Sequence, residues 1–256
     1  MLHQFSYRFL NDHVILTCVS MHNSNYNLGK IQTYHFAQNV ENHAYNSSAQ
    51  FGFRHKSSTD LASYTLTQEI LTALNNKIKV GGIFCDLHKA FDCVNHDILL
   101  SKMEFYGIIG KANNLIKSYL QNRYQRVQIK KDSLNYCSDW ELITDGVPQG
   151  SILGPLFFLL YINDLPNTIS DLATPILFAD NTSLIISNPD SSQLEKDINT
   201  VIQTLSRWFH NNLLFLNFEK THFLQFLTSN TNVTKLHLTY DKVMTTGVCL
   251  NRSHYL

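Results

Sequence analysis

Two short apolar runs separated by a polar turn place the strongest constraint on how this chain can fold. The sequence reads Ile-Leu-Phe at 176–178 and Leu-Ile-Ile at 184–186, and the turn between them contains Ala179, Asp180 and Asn181. Apolar runs of this length that are broken by turn residues are typical of a buried β-hairpin. We therefore expect the carboxylate of Asp180 to stand at a hairpin tip, where water and metal ions can reach it.

A second candidate carboxylate follows an apolar run far upstream. Residues 80–87 predict a buried strand, and Asp86 lies near its end. Two acidic side chains on adjacent strand ends are what a two-metal phosphoryl-transfer site requires. Taken alone, Asp86 could equally well be a polar cap at the end of a strand. Asn181 stands where a third carboxylate would be expected, which leaves the predicted site one negative charge short.

The composition of the 256 residues excludes several classes of protein. Twenty Lys and Arg residues balance twenty Asp and Glu residues, so nucleic-acid binding would depend on local patches such as 123–131, which could equally be a solvated hairpin. Five cysteines without CxxC spacing favour reduced thiols over a disulfide framework or a zinc site. No secretory signal is visible, and the longest apolar run, 156–162, is too short to cross a membrane. We expect an intracellular protein of the cytoplasm or nucleus that is neither secreted nor membrane-bound.

Hydrophobic periodicity predicts a series of helices and strands after about residue 50. Residues 19–50 offer little hydrophobic period and are interpreted as a long loop or a disordered insert. The loop at 146–151 precedes a helix that is apolar on all sides, so this helix should be buried, with Ser151 as its N-cap. Helices are expected over 61–75, 95–106, 112–121 and 191–213, and strands over 124–129, 139–144, 223–227 and 233–240.

Two of these predicted helices carry recognisable start signals. Thr59 and Asp60 could cap the helix at 61–75, whose buried side would include Leu71. Ser192 and Glu195 have the spacing of a capping box for the helix at 191–213. The apolar residues of that helix recur at helical spacing, which makes it the clearest amphipathic element of the chain.

Several sequence blocks occur in a fixed order between about residues 50 and 228. The blocks are QFGFR at 50–54 with Ser58 and Thr59, DLHKAFD at 86–92, SYL at 118–120 with Asn122, Arg123 and Gln125, the loop at 146–155, Phe-Ala-Asp at 178–180, and Trp208, Asn211, 216–217 and 220–221. Together they resemble the reverse transcriptase domain of non-LTR retrotransposons, LINE-like elements near the Jockey type.

This resemblance implies an α+β fold, the right-hand polymerase palm with partial fingers and an absent thumb. The fingers and palm would occupy 50–228, and a truncated end of the palm would follow at 229–256. The preceding segment at 1–49 is poorly patterned, and the resemblance implies an aberrant insert at 18–49 that packs poorly. The implied activity is that of an RNA-directed DNA polymerase, acting by two-Mg²⁺ nucleotidyl transfer. Its partners would be an RNA template, a DNA primer, deoxynucleoside triphosphates and other parts of a retrotransposon polyprotein.

The resemblance also assigns the metal-binding and catalytic residues. Asp86 and Asp180 would bind the two Mg²⁺ ions, which prefer carboxylate and phosphate oxygens. Asn181 replaces the acidic residue that usually follows, and it keeps an oxygen but loses the charge. A unit charge pair at about 4 Å and an effective dielectric near 20 is worth about 4 kcal/mol. That energy corresponds to roughly a thousandfold in rate if it is fully expressed at the transition state.

The remaining assignments concern the nucleotide. Phe91 would block a ribose 2′-hydroxyl, although an aromatic residue there could also simply pack in the core. Gln149 and Gly150 would lie against the nucleotide and template, where glycine permits a close backbone approach. Lys220 would lie near the pyrophosphate as a general acid, or be a solvated lysine in a turn. Arg54 would contact the triphosphate.

Three functional interpretations follow from these residues. The first is a reverse transcriptase domain that Asn181 and the missing thumb impair. The second is a catalytically dead remnant that at most binds nucleic acid or a partner. The third, an RNA-templated RNA polymerase, is disfavoured by Phe91 and by the Phe-Ala-Asp turn.

Overall fold

The computed structural model describes residues 3–10, 13–21, 47–131, 134–148 and 150–228. The chain divides into two compact units, of which unit 1 comprises Met1–His43 and Phe91–Tyr161, and unit 2 comprises Ala44–Ala90 and Ile162–Leu256. In chain order the elements are β1 (His3–Leu10), β2 (His13–Met21), α1 (Thr59–Asn75), β3 (Lys79–Cys85), α2 (His96–Phe105), α3 (Lys111–Leu120), β4 (Arg123–Lys131), β5 (Leu134–Cys137), β6 (Glu141–Ile143), α4 (Leu153–Ile162), α5 (Leu165–Ile169), β7 (Thr174–Phe178), β8 (Asn181–Asn188), α6 (Ser191–Asn211), a 3₁₀ turn (Phe218–Lys220) and β9 (His222–Phe226).

Unit 2 is built on a four-stranded antiparallel sheet with the order β7-β8-β3-β9. The predicted hairpin is confirmed as β7 and β8, which are joined by a two-residue turn. The predicted strand at 80–87 is confirmed as β3, which pairs with β8 on one side and β9 on the other. Val80 and Ile83 on β3 are buried, as expected for a central strand with helices on both faces.

Helix α1 covers one face of this sheet. The hydroxyl of Ser58 accepts a hydrogen bond from the Leu61 N–H at 3.1 Å, so the helix begins two residues earlier than the sequence suggested. Partly buried Leu66, Ile70 and Leu74 pack at four-residue spacing on a cluster that contains strand residues Val80, Ile176 and Ile185. Leu71 was predicted on the buried side, and this is wrong: the residue is 49% exposed, because it lies off that stripe.

Helix α6 packs on the opposite face of the sheet and against α5. A Cβ built on Gly81 would approach Ile198 of α6 to 2.9 Å, whereas the neighbouring Val80 faces the α1 cluster. The helix is capped by Asp190, whose carboxylate accepts from the Gln193 N–H at 3.0 Å. The predicted capping box at Ser192 is therefore wrong, since the carboxylate of Asp190 supplies the cap two residues earlier.

The sheet of unit 1 has the order β1-β2-β4-β5, and β6 also pairs with β4. Residues 18–21 continue β2 and pair with 123–126 of β4, so the segment predicted as an insert at 18–49 begins within a strand. The stretch Val-Ile-Leu-Thr-Cys-Val at 14–19 is rich in strand-forming residues, which explains why the strand runs on. Residues 22–46 lie outside the described residues.

Helices α2, α3 and α4 complete unit 1. Asn95 caps α2 by accepting from the Ile98 N–H at 3.1 Å. The Ser151 hydroxyl accepts from the Gly154 N–H at 2.9 Å in the first turn of α4, as predicted. Every residue from 156 to 162 is buried, which confirms the expectation of a buried apolar helix.

The mixed helices and sheets of the two units confirm the predicted α+β class. The predicted strand at 233–240, and with it the truncated palm end at 229–256 and the absent thumb, lies outside the described residues. Within the described ranges, no helix is both long enough and apolar enough to cross a membrane.

Candidate active site

The turn between β7 and β8 presents the first catalytic candidate. Phe178 pairs with Asn181, so Ala179 and Asp180 form the two-residue turn, and Asp180 stands at the hairpin tip as predicted. Ala179 has a φ of +55°, a left-handed conformation that costs a residue with a Cβ roughly 1–2 kcal/mol. The turn therefore needs support from surrounding groups.

That support comes from a residue the sequence analysis assigned no role. Gln50 is 5% exposed, and its side-chain oxygen accepts from the Ala179 N–H at 2.9 Å and from the Gly52 N–H at 2.7 Å. Its side-chain nitrogen donates to the Ala179 carbonyl at 3.3 Å. The QFGFR block was the available signal, because it marked the segment, but its sequence does not reveal the contact with the turn.

Asp86 follows Cys85, the last residue of β3. Cys85 pairs with Thr182 of β8, so continuation of the register places Asp86 beside Asn181 at the base of the turn. The Asp86 carbonyl accepts from the Asn217 N–H at 2.8 Å, and this contact fixes the chain as it leaves the strand. The register therefore brings the two predicted acidic positions to the same end of one sheet.

Two further groups from the segment before β9 reach the Asp86 carboxylate. The Lys220 ammonium lies 3.4 Å from Oδ2, and the Asn217 amide nitrogen donates to the same oxygen at 3.3 Å. The Lys220 side chain is 69% exposed and that of Asp86 is 23% exposed, so solvent screens this ion pair and its contribution to stability is small. Lys220 was predicted to act near the pyrophosphate, and Asn217 was not assigned a role.

Burial and the neighbouring charges shift the pKa of the Asp180 carboxyl. Burial raises the pKa of its carboxyl above the ordinary value, and the negative charge of Asp86 raises it further. The carboxyl's backbone hydrogen bond and the positive charge of Lys220 lower this pKa, but the net direction is upward. Two carboxylates whose negative charges repel each other favour the binding of a cation between them. The neighbouring Cys85 remains a thiol, since burial raises its pKa to about 12.

The donor set at this end of the sheet fits a hard divalent cation. It contains the carboxylates of Asp86 and Asp180 and the amide oxygen of exposed Asn181. Among the described residues, no group of three or more His, Cys, Asp or Glu side chains is arranged to hold a metal. Oxygen ligands are those that Mg²⁺ prefers, but the site offers two negative charges where three would bind more strongly.

Arg54 has a structural use in unit 2. Its Nη1 donates to the carbonyl of Ser47 at 2.8 Å and to that of Gln50 at 3.0 Å. These bonds fold the guanidinium back onto the segment that carries Gln50. A contact between Arg54 and a triphosphate remains a prediction for its other N–H groups.

Phe91, in unit 1, stacks on Phe158 with ring centroids 4.7 Å apart and an interplanar angle of 25°. The side chain is half-buried, so it both packs in the unit and keeps an accessible edge. The Phe91 carbonyl accepts from the Val147 N–H at 2.9 Å, which ties it to the loop that precedes α4. Gln149 lies outside the described residues, and Gly150 has a φ of +80° that favours glycine.

The same loop is held by the first residue of α2 and by the two residues before it. Buried His96 donates from Nε2 to the Gly146 carbonyl at 2.8 Å, and the Gly146 N–H donates to the Val94 carbonyl at 2.7 Å. The Asn95 amide donates to the Asp145 carboxylate at 2.9 Å. His96 was not assigned a role from the sequence, because its bond to a carbonyl 50 residues away leaves no local pattern.

Comparison with known proteins identifies the family. Residues 22–248 match the model of the reverse transcriptase (RNA-dependent DNA polymerase) family. A probable RNA-directed DNA polymerase from transposon BS of Drosophila melanogaster is 33% identical over 184 residues, which is 67% of this chain and 19% of that protein. The RNA-directed DNA polymerase from the mobile element jockey of the same species is 28% identical over 177 residues, 67% of this chain and 19% of that protein. This chain thus spans about a fifth of the length of these relatives.

A solved structure supports the fold. The apo telomerase of Candida tropicalis, truncated from its C-terminal domain, superposes with a TM-score of 0.60 at 14% identity, over 91% of this chain and 52% of that one. At this identity the likeness concerns the fold alone, which is that of a polymerase palm. The resemblance to LINE-like, Jockey-type elements is confirmed by the mobile-element relatives. The chain therefore belongs to the reverse transcriptase family, in its non-LTR retrotransposon branch.

Proposed function

We propose that this chain is the core of an RNA-directed DNA polymerase that extends a DNA primer on an RNA template, using deoxynucleoside triphosphates. The observation that carries the proposal is the arrangement of Asp86 and Asp180, which the pairing of β3 with β8 brings to one end of the unit 2 sheet. Together with the family membership, this arrangement supports nucleotidyl transfer over simple nucleic-acid binding. Other parts of a retrotransposon polyprotein are its proposed partners.

Asp86 and Asp180 are the residues that would hold Mg²⁺. Bound there, two such ions would supply positive charge that neutralises the triphosphate and would make the primer 3′-hydroxyl a better nucleophile. Burial, and after it the negative charge of Asp86, raise the pKa of the Asp180 carboxyl, so a cation that neutralises these negative charges is favoured at this position. Lys220 lies at Asp86, where its ammonium can donate a proton to the leaving pyrophosphate.

For the other candidate residues we propose the roles that the family resemblance implies. In unit 1, the accessible edge of Phe91 would exclude a ribose 2′-hydroxyl, and Gln149 and Gly150 would contact the nucleotide and template. In unit 2, Arg54 would contact the triphosphate through the N–H groups that its own loop leaves available. The hydrogen bond from the Val147 N–H to the Phe91 carbonyl supports the part of this proposal that lies in unit 1, because it ties the backbone of Phe91 to the loop that precedes α4.

A catalytically dead remnant is the second candidate function, and Asn181 is the observation that favours it. The neutral amide removes a negative charge from a site that must hold two dications. We expect the unmodified chain to be impaired, by up to about 4 kcal/mol of transition-state stabilisation, which is roughly a thousandfold in rate.

Primer extension on an RNA template tests the proposal. Asn181→Asp should raise the rate of extension by up to about a thousandfold, and Asp180→Asn in that background should abolish it. The matched control is Asn114→Asp, because Asn114 is exposed on α3 in unit 1 and undergoes the same chemical change. If the folded Asn181→Asp variant extends no primer, the second candidate function, a catalytically dead remnant, is correct. If the unmodified chain extends the primer as fast as the Asn181→Asp variant does, the prediction that Asn181 impairs catalysis is wrong.

A further inference from the structure

We propose that Gln50 is a positioning residue for Asp180, because its amide clamps the backbone of Ala179 and so fixes the turn that presents the carboxylate. The inference rests on the proposed function, since it concerns how the same metal-binding carboxylate is held. It assigns a task in unit 2 to the QFGFR block, whose first residue is Gln50.

The first argument is that the oxygen and the nitrogen of the Gln50 side-chain amide both form hydrogen bonds with Ala179. The oxygen accepts from the Ala179 N–H at 2.9 Å, and the nitrogen donates to the Ala179 carbonyl at 3.3 Å. Two bonds of opposite polarity to the same residue oppose rotation of both peptide groups that flank it. The second of those peptides joins Ala179 to Asp180, so its orientation sets the direction of the Asp180 side chain.

The second argument is that the clamped residue is strained. Ala179 is held at a φ of +55°, which an alanine leaves readily unless the surrounding structure opposes it. Gln50 is buried to 5% exposure, where hydrogen bonds compete little with water and an unmade bond is costly. The buried amide therefore stabilises the conformation that the turn would otherwise avoid.

The third argument is the close approach of the two segments. A Cβ on Gly52 would lie 2.2 Å from the Ala179 nitrogen, so this contact requires a glycine. The Phe51 N–H donates to the Leu177 carbonyl at 2.8 Å, and the Leu177 N–H donates to the Ala49 carbonyl at 2.8 Å. These bonds set the register that brings Gln50 to the turn, and they involve no residue of the metal-binding set.

Binding of Mn²⁺, measured by electron paramagnetic resonance and by calorimetry, tests the role without requiring catalysis. Gln50→Met keeps the length of the side chain but removes all three hydrogen bonds, and we expect it to weaken Mn²⁺ binding by about tenfold or more. The matched control is Asn212→Leu, since Asn212 is a buried amide of unit 2 that donates to the Trp208 carbonyl of the preceding helix. This control should lose thermal stability and keep its Mn²⁺ affinity.

The outcomes separate this inference from the proposed function. If Asp180→Asn abolishes Mn²⁺ binding while Gln50→Met binds like the unsubstituted chain, the positioning role is wrong and the proposed function stands. If the unsubstituted chain shows no Asp180-dependent binding, both are overturned. Loss of affinity in Asn212→Leu equal to that in Gln50→Met would reduce Gln50 to a general stabilising residue and overturn the inference.

A second variant keeps the test decisive if Gln50→Met does not fold. Gln50→Glu retains an oxygen that can accept from the Ala179 and Gly52 N–H groups, but it replaces the donor with an oxygen that faces the Ala179 carbonyl. Repulsion between these oxygens should turn the peptide and weaken Mn²⁺ binding. A folded Gln50→Glu protein with unchanged affinity would contradict the proposal.

Discussion

The β7–β8 turn of unit 2 and the loop that precedes α4 in unit 1 each contain a residue with positive φ, and different residues stabilise this conformation in each. Both contain a left-handed residue, Ala179 at a φ of +55° and Gly146 at +85°. Both are held by a buried polar side chain from a distant segment, Gln50 in one case and His96 in the other. The loop uses a glycine, which adopts this conformation without strain, whereas the turn uses an alanine and therefore depends more on its clamp.

This difference predicts which substitutions should destabilise each region. In unit 2 the glycine lies on the supporting segment, at Gly52, and the strained residue is the one that leads directly to Asp180. In unit 1 the glycine is the left-handed residue itself, and its support comes from backbone as well as from His96. Loss of the Gln50 contacts should therefore affect metal binding in unit 2, whereas loss of the His96 contact should affect stability and the loop that precedes α4 in unit 1.

The largest expected effect is that of Gly52→Ala. The added Cβ would lie 2.2 Å from the Ala179 nitrogen, and because backbone cannot yield cheaply, we expect a loss of about 3 kcal/mol or more of unfolding free energy. Urea denaturation measures this loss. Gly110→Ala is the control, because Gly110 has open space around it and pays only for its φ of +62°, about 1–2 kcal/mol. Equal losses in the two variants would show that the segments do not meet closely.

Gly146→Ala should have the next largest effect. It combines a φ of +85° with a Cβ that would lie 2.9 Å from the Asp92 carbonyl oxygen, and we expect a loss of roughly 2–3 kcal/mol. The comparison predicts that Mn²⁺ affinity is preserved, because the change lies in unit 1. Denaturation and Mn²⁺ binding measured on the same preparation check both parts. Loss of metal affinity here would break the distinction between the two regions.

His96→Leu should be milder than either glycine change. It leaves the buried Gly146 carbonyl without its side-chain donor, which costs about 1–3 kcal/mol. His96→Gln retains an N–H that can reach a carbonyl, and we expect it to recover about half of that loss. Thermal or urea unfolding distinguishes the variants. If leucine and glutamine destabilise equally, the hydrogen bond contributes little, and packing of the imidazole is the stabilising feature.

The smallest expected effect is the pH dependence contributed by Asp180. Its folded-state pKa is raised above the ordinary 3.8, so the folded state holds the proton more tightly than the unfolded state does. Without divalent ions, this residue's contribution to stability should be greatest below about pH 4 and should decline as the pH rises through the raised pKa. Asp180→Asn should remove the decline, which urea unfolding between pH 4 and 7 would show. A steeper decline in the variant would contradict the sign.

Much of the fold was predictable because its signals are local. The hairpin of β7 and β8, the strand β3 and the helix α6 each carry an apolar pattern within a few residues. Helix starts were less reliable, since Asp190 and Ser192 are both good caps and only the folded chain selects between them. Strand β2 was missed at 18–21, because its hydrogen-bond partner β4 lies about a hundred residues away.

In the candidate site, too, some features were predictable from the local sequence and others were not. The sequence by itself determined the identity of the acidic residues and their places at strand ends, because alternation and turn chemistry are written in neighbouring residues. The missing charge at Asn181 was likewise readable from the sequence, since it depends only on which residue follows Asp180.

Only the tertiary structure decided which groups hold those residues. Gln50 meets Ala179 across 129 positions, and Asn217 meets Asp86 across 131. His96 reaches the Gly146 carbonyl across 50 positions. Such bonds join a side chain to a group that is distant along the chain, and they form only because the sheet and its helices first bring the segments together. Their donors and acceptors have no spacing along the chain that a periodic pattern could reveal.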